Sequence, residues 1–261
     1  MLKTPFITAS ILLVVSLSLS ACSTVQQEPP LPTTRAFTDQ ATKDSADKEF
    51  AVYDPAQDLN KDIYRFNAEF DDYVFLPIVN AYTFITPKFV RTGVTNFFLN
   101  VGEINNFTNS VLQASPKKAS VTLARFAVNT TVGLLGTFDV ATHMGLDRQQ
   151  EDFGKTLGHW GADSGAYVML PVLGPSNVRD TVGKVVDFAT LALITPTDVR
   201  NSPTYEVIAY GLRPIDLRYT NDFRYYASGS PFEYELVRYV YTQLRTTQIE
   251  KEKHDGSGAT P

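Results

Sequence analysis

Along residues 58–250 apolar side chains recur at intervals of three and four, and strand-like alternation is scarce. That spacing dictates a mainly helical fold. Asp58 caps a helix reaching about Asp72, with Leu59, Ile63, Phe66 and Phe70 on one face. Thr86-Pro87 opens a second, with Pro at its first position and an apolar stripe from Phe89 to Val101. Ile104, Phe107, Val111 and Leu112 mark a short third helix. Ser115-Pro116 opens a fourth, with Ala119, Leu123, Phe126 and Ala127 expected inward. Two more span roughly 176–193, through Val178, Val182, Val185 and Leu193, and 231–250, through Phe232, Leu236, Val240 and Leu244. Tyr167 to Leu170 is the best strand candidate, and Pro171 cuts it short. No internal repeat appears.

The N-terminal 21 residues read as a removable signal peptide. Lys3 is the positive region, and the uncharged run from Phe6 to Ala21 is too short to span a bilayer. Leu19-Ser20-Ala21-Cys22 fits a bacterial lipobox, in which the thiol accepts a diacylglycerol. Cys22 is the chain's single cysteine, so it is the lipidation candidate, and no intramolecular disulfide is available. Several acyl chains, each adding roughly 0.8 kcal/mol of membrane affinity per buried methylene, make a durable anchor. Residues 22–50, with Pro29, Pro30, Pro32 and mixed charges, read as a flexible tether. A single domain follows over 51–250, and 251–261 reads as a disordered tail.

The formal charge is −5, or −6 once Lys3 leaves with the leader, which argues against a nucleic-acid partner. Three histidines leave little room for a multi-His metal centre, and His143, Asp147, Glu151 and His159 lack a metal-clamp spacing. Ser164, His159 and Asp152 or Asp163 lie close in sequence, but Gly161 to Gly165 misses the nucleophile-elbow spacing. No Walker loop and no dinucleotide fingerprint appears, so no cofactor and no catalytic residue are expected.

The middle of the chain is distinctive. Phe126 to Phe138 carries no charge and places Gly133 and Gly136 three apart; Thr156 to Pro175, around the only Trp, is again poor in charge. Two readings stay open for these stretches: a buried core, or a lipid-facing surface. Asn60, Asn67, Asn96, Asn100, Asn105, Asn106, Asn109 and Asn129 recur within or beside the apolar stripes. Buried amides need partners, so they cross-link helices, line a wet channel, or serve as caps and turns. Eight of 13 tyrosines lie between Tyr205 and Tyr241, which suits an interface or a packed core equally.

A series of short motifs runs along the chain: Asp54-Pro55, Leu59-Asn60, Val90-Arg91, Asn96-Phe97-Phe98-Leu99-Asn100, Asn129-Thr130-Thr131-Val132-Gly133 and Phe138-Asp139-Val140-Ala141. It continues with Glu151-Asp152-Phe153-Gly154-Lys155, Trp160-Gly161 and Leu173-Gly174-Pro175-Ser176. In this order the motifs resemble the MlaA (VacJ) family of outer-membrane lipoproteins. The resemblance covers roughly residues 54–217 and fades in the Tyr-rich end.

It implies an all-α, ring-like bundle of amphipathic helices in the inner leaflet of the outer membrane, with a central amphipathic channel. It implies removal of misplaced phospholipid from the outer leaflet and its transfer to the soluble periplasmic carrier MlaC. An inner-membrane ATP-driven Mla complex then receives the lipid, and a trimeric porin stands beside the lipoprotein. With that implication, Asn129, Thr130, Thr131, Gly133, Gly136, Phe138 and Asp139 are expected near the channel wall. Arg125 and Lys155 are the head-group candidates. A lipid-anchored hydrolase and a structural lipoprotein holding porin or peptidoglycan are the alternatives.

Overall fold

Two prolines sit inside helices rather than before them, and they shape the fold. Proline lacks an N–H, and its ring collides with the carbonyl four residues back. A computed structural model describes residues 51–256. In it helix α1 (Gln57–Phe70) does not end near Asp72 but passes through a π turn, Asp71–Phe75, into α2 (Leu76–Ile85). The wider turn, in which Leu76 N–H reaches Asp71 O, lets Pro77 be accommodated. The leader, Cys22 and the tether lie outside the described residues.

Thr86 turns the chain, and α3 (Lys88–Leu112) then runs for 25 residues. The two short helices expected over this stretch are one, because Gly102 leaves the hydrogen-bond ladder intact. Next come α4 (Pro116–Thr131), the short α5 (Val140–His143) and α6 (Phe153–His159), the last two capped by the Asp139 and Asp152 side chains. The strand candidate forms as β1 (Tyr167–Leu170), paired antiparallel with β2 (Gly174–Asn177). This hairpin is the one departure from an all-α architecture among the described residues.

Helix α7 (Val178–Ile194) follows, then α8 (Thr197–Arg200) and α9 (Pro203–Glu206). A second π turn, Val207–Leu212, precedes Pro214 in α10 (Arg213–Tyr219) and repeats the first device. Helix α11 (Glu233–Gly256) runs past residue 250, where a frayed tail was expected. Its last turns are held because Glu252, 7% exposed, lies 2.9 Å from Lys155.

The free edge of β1 is closed by side chains. Asn60 donates to Tyr167 O at 3.2 Å and accepts from Met169 N at 2.9 Å. Two helical turns on, Asn67 donates to Leu170 O at 3.0 Å and accepts from Val172 N at 2.7 Å. The two amides stand in for a third strand, since backbone groups at a buried edge need partners. Around them Tyr64, Tyr167, Met169 and Tyr234 form a small apolar core, with Tyr225, Tyr226 and Tyr241 packed against it. Tyr64 meets three tyrosine rings edge-on at 5.1–5.8 Å, and its hydroxyl donates to Glu233 at 2.6 Å. Four of these tyrosines come from the Tyr-rich end, so core packing accounts for that part of it.

Elsewhere the usual distribution is reversed. Among the described residues, polar and charged side chains outnumber apolar ones in the fully buried set. On α4, Thr122, Arg125 and Asn129 are buried, while Leu123, expected inward, is 52% exposed. On α3 the inward stripe is Gly93, Asn100, Glu103, Asn106 and Asn109. On α7 it is Arg179, Asp180 and Gly183, and Val178, Val182, Val185 and Leu193 face out. The helical period is as the sequence dictates, and the apolar face points away from the protein.

Candidate functional site

The sequence candidates gather where α4 ends. After Thr131 the chain makes a compact loop, Val132 to Phe138, that folds back on α3. Leu134, Leu135 and Gly136 all lie in the left-handed region, with φ of 51, 58 and 87°. That region disfavours residues with a Cβ, so the two leucines are held by their surroundings. Asn129 O accepts from Gly136 N at 2.8 Å, Asn96 donates to Thr137 O at 3.1 Å, and Asn100 donates to the Thr130 hydroxyl at 3.0 Å. A Cβ on Gly136 would stand 2.4 Å from Asn100 Cβ, and one on Gly133 2.2 Å from Phe138 O. The glycines thus permit close packing. Val132, Leu134, Leu135 and Phe138 are left exposed on the outer side of the loop.

Below this loop lies a charged node. The Arg125 guanidinium is fully buried. Its Nε donates to Glu103 at 2.8 Å, its Nη1 to Thr142 at 3.0 Å and to Leu146 O, and its Nη2 to Asp139 at 3.1 Å. Asn129 completes the set, donating to Asp139 at 2.9 Å and accepting from Ala141 N at 2.9 Å. Burial alone would raise the Asp139 carboxyl, but hydrogen bonds from Thr142, Asn129 and Arg125 outweigh it and hold the group ionised.

This geometry changes the head-group expectation. Arg125 has no donor turned to a ligand, because its nitrogens are taken by protein oxygens. Lys155 sits in a separate node, 8% exposed, bound to Glu252 and to Gln150 O. Both cations tie helices together. The structure brings Asn129, Thr130, Gly133, Gly136 and Asp139 around one loop. Thr131 points out and donates to Ala127 O at 2.7 Å, and Phe138 is exposed.

Other buried charges form a second network. Arg245 of α11 holds Asp152 through two contacts of 2.8 Å and Asp180 through another of 2.8 Å. Tyr241, Asn177 and Arg179 also reach Asp180. The Asp180 carboxyl, despite burial, is held down at about 2, chiefly by Arg245. Here α6 and α7 touch closely, since a Cβ on Gly183 would stand 2.3 Å from Gly154 N. His159 stacks edge-on against Trp160, and among the described residues no hydrogen bond joins it to Ser164 or Asp152. No group of three or more His, Cys, Asp and Glu suited to a metal ion occurs among the described residues.

Two cavities stand out among the described residues. The larger, about 480 Å3, lies between α1, the hairpin turn and α11, and is lined by Phe75, Leu173, Phe223, Leu236, Val240 and Leu244. Its cation, Arg218, is spent on Asp71 and on the carbonyls of Asn221 and Phe223. The smaller, about 230 Å3, lies between α3, α7 and the second π turn. Sequence reasoning missed both. The stripe Leu236, Val240 and Leu244 was visible, but not that it borders an opening.

These features define a class: a mainly helical protein with ionic networks inside and apolar side chains outside. No described helix is long and apolar enough to cross a membrane. The chain belongs to the MlaA lipoprotein family, whose model matches residues 52–248. A Rickettsia bellii protein of uncharacterised function is 31% identical over 206 residues, 78% of this chain and 79% of its own. The intermembrane phospholipid transport system lipoprotein MlaA of Haemophilus influenzae is 32% identical over 172 residues, covering 64% and 67%. The Escherichia coli protein of that name is 36% identical over 138 residues, covering 51% and 55%. The chain spans about half the length of several curated relatives it matches. A solved structure named "Structural basis for maintenance of bacterial outer membrane lipid asymmetry" aligns with TM-score 0.60 and 27% identity. The alignment covers 76% of this chain and all of that one.

Proposed function

We propose that this protein is an outer-membrane lipoprotein that removes mislocalised phospholipids from the outer leaflet. It passes them to a periplasmic carrier of the MlaC type, for retrograde transport to an inner-membrane Mla ATP-driven complex. Its place is the inner leaflet, periplasmic side, anchored through Cys22, as a ring-like bundle beside a trimeric porin. It performs no covalent chemistry.

The reversed burial carries this reading. Phe84 is 91% exposed, Phe89 78% and Leu193 83%, and the loop leucines Leu134 and Leu135 about two thirds. Large apolar side chains exposed to this degree are unfavourable in water and favourable in hydrocarbon. Moving a phosphate past hydrocarbon without polar partners is prohibitive, and the polar side chains beside the strained loop come within reach of a head group once that loop shifts. Asn129, Thr130, Thr131, Gly133, Gly136, Phe138 and Asp139 then stand at the wall of the lipid path, and a shift of the strained loop opens it. The names of the relatives point the same way.

The test is outer-leaflet phospholipid in cells lacking the protein, read with an outer-leaflet lipid-modifying enzyme. The deletion raises the signal, and the intact gene, but not Cys22→Ala, restores it. No rise overturns the transport reading and favours a purely structural lipoprotein.

A further inference from the structure

We propose that the smaller cleft seats part of one acyl chain of a phospholipid whose phosphate is held by Arg213. The proposal rests on the transport reading above and names a binding site for its substrate.

The cleft walls supply both halves of the recognition. Phe97 and Phe98 of α3, Leu191 of α7 and Ile208 of the second π turn make an apolar floor. Its volume of about 230 Å3 is below the roughly 300–1,000 Å3 of sites that enclose whole small molecules, so it takes part of one chain. No carboxylate lines it. Arg213 stands on its wall, half-buried; its backbone N–H reaches Ile208 O, and its guanidinium makes no hydrogen bond or ion pair among the described residues. The Thr204 hydroxyl, also on the wall, is likewise without a partner among them.

The contrast with other arginines decides the assignment. Arg125, Arg218 and Arg245 are neutralised by buried carboxylates. An anion drawn to them must displace a carboxylate first. Arg213 offers its whole guanidinium fork, the geometry suited to a phosphodiester. Its position follows from the backbone: Pro214 forces the preceding turn open, and that π turn forms the cleft wall. The larger cavity has an apolar lining but a satisfied cation, so it lacks the anchoring charge.

The experiment uses the full chain extracted from membranes in a mild detergent. The probes are phosphatidylglycerol with one pyrene-labelled acyl chain and the matching pyrene diacylglycerol, which lacks phosphate. Arg213→Ala should weaken phosphatidylglycerol binding about tenfold or more and leave diacylglycerol unchanged, while Arg213→Lys retains part of it. Leu191→Trp, which fills the cleft, should weaken both probes, with Ile208→Trp as a second filler should the first misfold by circular dichroism. Inorganic phosphate should not displace either probe. Wild-type phosphatidylglycerol binding in Arg213→Ala overturns the phosphate assignment, and unchanged binding in both fillers overturns the chain assignment. Displacement by inorganic phosphate alone would make this a free-anion site and also overturn the proposal. Lipid accumulation in the deletion strain, cured fully by Arg213→Ala and by the cleft-filling variants, sinks the cleft while sparing the transport reading. Absence of accumulation sinks the transport reading itself.

Discussion

The Nη2 of Arg125 lies 3.1 Å from both carboxylate oxygens of Asp139, while its Nε lies 2.8 Å from Glu103, itself fully buried. One cation thus joins α3, α4 and the turn before α5. Arg125→Met should destabilise the protein by about 3–5 kcal/mol, because Glu103 is left buried with only the longer ion pair to Arg148, 3.3 Å. Chemical unfolding in detergent, followed by circular dichroism, measures this. Pairing Arg125→Met with Glu103→Gln should recover part of the loss, which a pure head-group role for Arg125 would not produce.

Gly136 and Gly145 make a controlled comparison. Both have positive φ, 87 and 78°, but only Gly136 has a neighbour, Asn100, where a Cβ would go. Gly145→Ala should cost about 1–2 kcal/mol from backbone strain. Gly136→Ala should cost more, since the loop must also move off α3. The difference in Tm between the two variants reports how tightly the loop is clamped.

Asp180 sets an acid limit on stability. Its folded value, about 2, is below the roughly 3.9 of an unfolded aspartate. Its stabilising effect is therefore complete above pH 4 and fades as pH falls towards 2. Asp180→Asn should lower stability at pH 7 and flatten the decline between pH 4 and pH 2. Unfolding midpoints over that pH range test it.

Phe84 and Phe89 flank the α2–α3 turn and are 91% and 78% exposed. If this turn sits in lipid, each phenyl ring contributes roughly 1.5–3 kcal/mol to membrane seating. In a Cys22→Ala background, which removes the proposed anchor, Phe84→Asp with Phe89→Asp should reduce flotation with phospholipid vesicles more than tenfold. Helical content should stay unchanged. Undiminished flotation would place this turn in water.

Much of the helical pattern was legible because propensity and capping are local. Ser115-Pro116 does open a helix, and Tyr167 to Leu170 does form a strand. The merger across Gly102 and the passage through Pro77 were not legible, because tertiary packing overrides a local break. The orientation of the stripes misled for another reason. Periodicity reveals that a helix has two faces, but it does not say which medium each face meets. Leu123 was therefore expected inward, and it faces out. The asparagines were the better guide, since buried amides need partners and several here do cross-link elements.

For the site, local chemistry marked the stretch from Asn129 to Asp139, where residues close in sequence meet in one turn. It missed the partners of the charges. Arg125 and Glu103 are 22 residues apart, and Arg245 and Asp152 are 93 apart. Which arginine is consumed by a carboxylate and which stays free depends on how helices distant in the chain come together. The residues fix most of the helices and the strand Tyr167–Leu170, whose causes act within a few positions, although Asp58 lies in the first turn of its helix rather than capping it. Folding alone assigns the partners of Arg125 and leaves Arg213 on the wall of a cleft, because electrostatic pairing is a property of distance in space.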